Sequence, residues 1–159
     1  MFGFLIILIL LSILYWWTPK KINGIGIYST IFFVLYFGLV WDAIFKGKYE
    51  LYYYTENPDV HYTDFFVRIT FYSITSLLFL NWFPFHHKFR TMILYFFAFI
   101  LIIWSLEWVF VQILLIKYSG WKLIYSLPKY IFIYLGVWIN HRMTNNFLKK
   151  EEWMSVKKT

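Results

Sequence analysis

Between residues 92 and 116 the chain runs for 25 residues with one charged side chain, Glu107. As an α-helix rising about 1.5 Å per residue, that block covers the roughly 30 Å hydrocarbon thickness of a bilayer. A soluble domain of 159 residues has too little interior to hide it, because 61% of the chain is apolar and 26% aromatic. Only 14% of the residues are charged, against about 25% in a typical soluble protein. Lipid is therefore the expected main solvent.

Four more apolar blocks accompany it. Residues 2–17 end in Tyr15-Trp16-Trp17 ahead of Pro19, Lys20 and Lys21, the aromatic-then-basic order of a membrane interface. The block lacks a basic leading region and a small-residue cleavage site, so it is expected to be a retained anchor rather than a cleaved signal. Residues 25–45 stay apolar up to Trp41 and Asp42. A polar stretch, 46–64, follows; its Tyr52-Tyr53-Tyr54 run reads as an interfacial aromatic belt. Residues 65–83 begin near Arg68 and close at Asn81-Trp82-Phe83-Pro84, where proline withdraws a backbone donor. Residues 123–140 are interrupted by Pro128-Lys129, which leaves four spans standing beside five.

Backbone amides in hydrocarbon must be bonded within the protein, and the alternating pattern of a barrel is missing. The expected fold is all-α: a polytopic transmembrane helical bundle of about five spans, forming one integral membrane domain over 1–159. With five spans, Lys20, Lys21, Lys88, Arg90, Arg142 and the tail lysines fall on one side and outweigh Lys46, Lys48, Lys117, Lys122 and Lys129 on the other. Cytoplasmic segments gather Lys and Arg, so the N-terminus is expected outside and the C-terminus in the cytoplasm. Close backbone approach is expected at Gly38 and Gly136.

Charges inside apolar spans are costly, about 2.5–3.5 kcal/mol each at a helix centre, and seek partners. Four fall there: Asp42, Arg68, Glu107 and Lys129. At about 100° per residue, Asp42 shares a face with Tyr28, Ile31, Leu35 and Gly38, and Arg68 with Tyr72, Thr75 and Phe79. Glu107 aligns with Trp104, Trp108, Val111 and Leu115, and Lys129 with Phe132, Ile133, Gly136 and Asn140. These faces are expected to turn inward and form a neutral cluster, with Glu107 bonded to Arg68 or Lys129 and Asp42 nearer the surface. Such a cluster either fixes helix register or marks a path for ions or protons.

Other chemistries find little support. With no cysteine there is no disulfide framework, thiolate metal site or cysteine nucleophile. The net charge of +7 is scattered between apolar blocks, which argues against nucleic acid and for lipid phosphate. His86, His87 and His141 lack ligand spacing, so no metal is expected, and no phosphate-binding glycine loop or GxSxG elbow implies a cofactor or catalytic residues. The tail 141–159 mixes apolar residues with cations. Lys149, Lys150, Trp153, Lys157 and Lys158 are candidates for contact with the lipid surface, a frayed solvated terminus being the plain alternative.

The Asp42-to-Tyr54 segment with Lys48-Tyr49, then 78–84 (LFLNWFP), Glu107-Trp108 and Tyr118-Ser119-Gly120-Trp121, occur in an order that resembles a family of small multi-span membrane proteins of unknown function from spore-forming Bacillus and Clostridium relatives. The resemblance implies a bacterial cell membrane and covers most of the chain, but supplies no reaction. The expected function is that of a non-enzymatic membrane protein acting through lipid, another membrane protein or a second copy of itself. The alternative is a small transporter or ion-conducting subunit using the charge cluster.

Overall fold

The computed structural model describes residues 2–54 and 68–156, with side chains over 5–54 and 69–151. Helix dominates, as an all-α chain requires. Among the described residues there are five α-helices: α1 (Phe2–Trp17), α2 (Gly24–Asp42), α3 (Ser73–Trp82), α4 (Phe89–Gln112) and α5 (Ser126–Val156). A π-helical extension, Ala43–Lys48, continues α2, a second π-turn, Arg68–Tyr72, leads into α3, and a 3-10 turn, Leu123–Tyr125, precedes α5.

Local chemistry sets these boundaries. Asn23 caps α2, its Oδ1 accepting from the Gly26 N–H at 2.7 Å. Phe83, restricted by the following Pro84, takes an extended conformation (φ −60°, ψ 129°) and ends α3. Pro128 lies in the first turn of α5, where its missing N–H leaves no helical bond broken, so the helix runs on without a proline break.

The described helices alternate in direction. At one end, the Lys21 N–H donates to Asn81 Oδ1 at 2.9 Å, tying the α1–α2 link to the last turn of α3. At the other, Ile7 and Leu8 of α1 pack with the buried Tyr52, Phe71, Phe110 and Trp121. The short α3 is the axis of the bundle: Ser73 and every residue from Thr75 to Asn81 are buried, with α1, α2 and α5 packed around it. Phe79, fully buried, holds Phe99 and Tyr134 at ring-centroid distances of 5.2 and 5.0 Å.

Small residues choose the buried face of α2. Gly26, Thr30, Val34, Gly38 and Asp42, each four apart, form its inward stripe. Gly136 of α5 meets this helix so closely that a Cβ there would sit 2.6 Å from Phe33 Cζ. Ser29 of α2 bonds Asn140 Oδ1 at 3.2 Å and Thr144 Oγ1 at 3.0 Å, a polar clamp between α2 and α5.

Several expectations need correction. Among the described residues two helices are long and apolar enough to cross a membrane by themselves, Gly24–Lys48 and Phe89–Gln112, not about five. α1 has 16 residues, the apolar part of the α3 region is Ile69–Trp82, and the second half of α5 is polar. The apolar block 92–116 does not stay helical, because Leu114 turns at φ 58° and Ile116–Tyr118 forms a strand, β2. Tyr52–Tyr54 is its antiparallel partner, β1, in the register Tyr52↔Tyr118. Tyr52 and Tyr54 are each 3% exposed, so they serve the interior rather than an interfacial belt. Tyr28, Trp108 and Phe132, expected inward, are exposed.

Candidate functional site

The polar residues singled out by sequence converge at the β1–β2 end of the bundle. Glu107 projects from the buried stripe Phe99, Ile100, Ile103, Glu107 and Phe110 of α4. Lys129 comes from the first turns of α5, and Asp42 closes the inward stripe of α2. All three are buried. Arg68 belongs to the π-turn before α3, and its side chain lies outside the described residues.

Glu107 is the centre. Its Oε1 accepts from Ser126 Oγ at 2.8 Å and from the Tyr118 hydroxyl at 2.9 Å, with Lys129 Nζ at 3.9 Å. Ser126 Oγ in turn accepts from Trp121 Nε1 at 2.9 Å, so the chain from β2 to α5 is tied to one carboxylate on α4. Burial and then the Glu107 charge push the Tyr118 phenol well above its ordinary range, which keeps it a donor. Lys129 Nζ also stands 4.6 Å from the centre of the Tyr130 ring and 6.0 Å from that of Tyr52.

Asp42 is satisfied by an element the sequence did not announce. The Tyr52 hydroxyl of β1 donates to its Oδ1, so the acid expected near the surface is drawn inside by the strand pair. Lys46, on the π-helical extension, is a buried cation missed in the sequence, with Nζ 5.3 Å from the Tyr54 ring centre. The signal for it lay in the helix period: Lys46 is four residues beyond Asp42. Leu51 C=O accepts the N–H groups of Ser119, Gly120 and Trp121 at 2.9, 3.1 and 3.0 Å, which locks the strand pair over the cluster.

A cavity of about 20 Å³ lies among Tyr52, Tyr72, Glu107, Phe110, Lys129 and Tyr130. One water fills such a space. The carboxylate, ammonium and hydroxyls around it fit a fixed polar knot better than a hydrated channel.

The remaining candidates lie at the opposite end. His86, His87, Lys149 and Lys150 are exposed and His141 is buried. The side chain of Trp153, and Lys157 and Lys158 altogether, lie outside the described residues. Among the described residues no three His, Asp or Glu side chains come together as a metal site. Comparison with protein-family models, with curated proteins and with solved structures gave no match.

Proposed function

We propose that this chain is a multi-pass helical protein of a bacterial cell membrane, whose buried polar knot fixes the register of its helices and which acts through lipid or another membrane protein. The observation that carries this reading is an inverted distribution of side chains. Charged Asp42, Lys46, Glu107 and Lys129 are buried, whereas Trp17 is 84% exposed, Leu94 73% and Phe32 70%. Exposed apolar faces run along α1, α2, α4 and α5, far beyond the few hundred Å² of apolar patch that a soluble monomer tolerates. Lipid removes that penalty, and polar groups inside a bundle then hold the helices together.

Beyond the two long helices, we read α1, α3 and the apolar first part of α5 as further spans, and their packing supports that reading. α3 is wrapped by its neighbours, so its shortness leaves little backbone facing lipid, and α1 is long enough to span with local thinning of the bilayer. The alternating direction of the helices gathers Lys20, Lys21, Lys88 and Arg142 at one end, which the charge rule assigns to the cytoplasm. No reaction is assigned to the chain.

The transport reading draws on one feature, an acid and a base beside the small cavity. Proteoliposomes separate the two. A register-fixing knot gives no proton or cation flux above protein-free vesicles, whereas flux that Glu107→Gln abolishes in a folded protein would establish a pathway instead.

A further inference from the structure

At the end of the bundle opposite the polar knot, a cavity of about 770 Å³ opens between the α1–α2 link, the α3–α4 turn and the second half of α5. Its size lies within the range of small-molecule sites. Lys21, His86, His87, His141, Arg142 and Lys149 line it, and among the described residues no carboxylate does. Its floor is apolar, built from Ile22, Leu80 and Phe83, all buried.

Two of these groups are held in place. The Arg142 guanidinium stands 4.6 Å from the centre of the Trp138 ring, which restrains it without using its donors. His141 is 5% exposed; its Nε2 meets Asn145 Nδ2 at 2.9 Å, and its Nδ1 is buried without a hydrogen-bond partner. With the amide donating to Nε2, the ring proton sits on Nδ1, a donor left over for a ligand. A built cationic basin with a spare buried donor and an apolar floor asks for an anion attached to an apolar body.

We propose that this cavity binds a phosphate group, and that its source is the head group of an anionic phospholipid whose glycerol and upper acyl carbons rest on the apolar floor. The guanidinium and lysines pair with the phosphate oxygens, Arg142 in bidentate fashion, and His141 donates to one of them. The choice of a lipid source rests on the membrane reading above. Trp16 and Trp17, exposed beside the same end, mark head-group depth on that reading.

The test uses the full chain purified in a neutral detergent, with bound lipid counted by native mass spectrometry and affinity followed by Trp fluorescence. The probes are short-chain phosphatidylglycerol, short-chain phosphatidylcholine, glycerol 1-phosphate and inorganic phosphate. Saturable binding of phosphatidylglycerol, at least tenfold tighter than phosphatidylcholine and weakened at least tenfold by Arg142→Ala, is the expected result. Lys48→Ala and Lys122→Ala, at the opposite end, leave it unchanged. If Arg142→Ala does not fold, the exposed Lys149→Ala carries the same comparison. Inorganic phosphate or glycerol 1-phosphate binding as tightly as the lipid would uphold the phosphate site and overturn its lipid source. Absence of saturable binding, or equal loss in Lys48→Ala, would overturn the site. An alkaline carbonate wash of native membranes, run in parallel, reports the membrane reading separately: a protein that stays in the pellet yet binds no phosphate defeats this inference alone.

Discussion

Lys129 Nζ stands 3.9 Å from Glu107 Oε1, with both side chains about 95% buried, so the first turns of α5 and the lower half of α4 share one ion pair. The separation is long for a direct bond, and Ser126 and Tyr118 supply the short contacts to the same oxygen. The lysine balances the charge while the hydroxyls set the geometry.

Removing one partner leaves the other buried and uncompensated. Glu107→Gln and Lys129→Met are each expected to destabilise the protein by about 3 kcal/mol, and the double variant to recover most of that loss. Thermal unfolding in detergent of all four proteins measures the coupling. Strict additivity of the two losses would show that the pair does not act as a unit.

The Asp42–Tyr52 contact joins α2 to the strand pair. Tyr52→Phe removes the donor while keeping the ring and is expected to cost about 1–3 kcal/mol, as for a hydrogen bond to a buried charged group. Hydrogen exchange should show faster opening at β1 and the π-helical extension, and unchanged protection at the centre of α4.

Close packing at Gly136 gives a steric test. Gly136→Leu forces its side chain into the Phe33 ring and is expected to destabilise by about 1–3 kcal/mol. Gly38 has more room, the nearest atom to an added Cβ being Tyr72 Cδ2 at 4.0 Å, so Gly38→Ala is expected to be near neutral or slightly stabilising. Ranking the two by melting temperature checks the α2–α5 interface.

Burial lowers the His141 pKa below its ordinary value. The unfolded chain therefore binds a proton more readily than the folded one. The resulting stability is present above the unfolded value near 6.5 and is lost as pH falls through the lower folded value. His86, His87, Lys21, Arg142 and Lys149 line the same cavity. His141→Gln is expected to flatten the acid side of the stability profile below about pH 6.5.

The helical class and the meeting of Glu107 with Lys129 were legible in the sequence, because long apolar blocks need helices and lone intramembrane charges need partners. The faces were harder to read. Apolar residues surround α2 on every side, so hydrophobic period cannot choose its interior; the spacing of Gly26, Thr30, Gly38 and Asp42 does, since small residues admit a neighbouring backbone. The strand pair was hidden because Tyr52–Tyr54 fits an aromatic belt equally well, and nothing local tells Tyr52 that it will pair with Tyr118 some sixty-six residues on. Lys46 was passed over as a loop residue because the second block was expected to end at residue 45, whereas the π-helical extension Ala43–Lys48 carries it inward.

The most direct measurement follows from the absence of cysteine, which makes every introduced thiol unique. Single cysteines at Lys20, Lys88 and Lys150, and at Lys48 and Lys122, are labelled in intact cells with a membrane-impermeant maleimide and again after permeabilisation. The expected result is labelling of Lys48→Cys and Lys122→Cys in intact cells, with Lys20→Cys, Lys88→Cys and Lys150→Cys reactive only after permeabilisation. Labelling of all five to the same extent in intact cells, or protection of all five, would contradict a bundle whose helices cross the membrane in alternation.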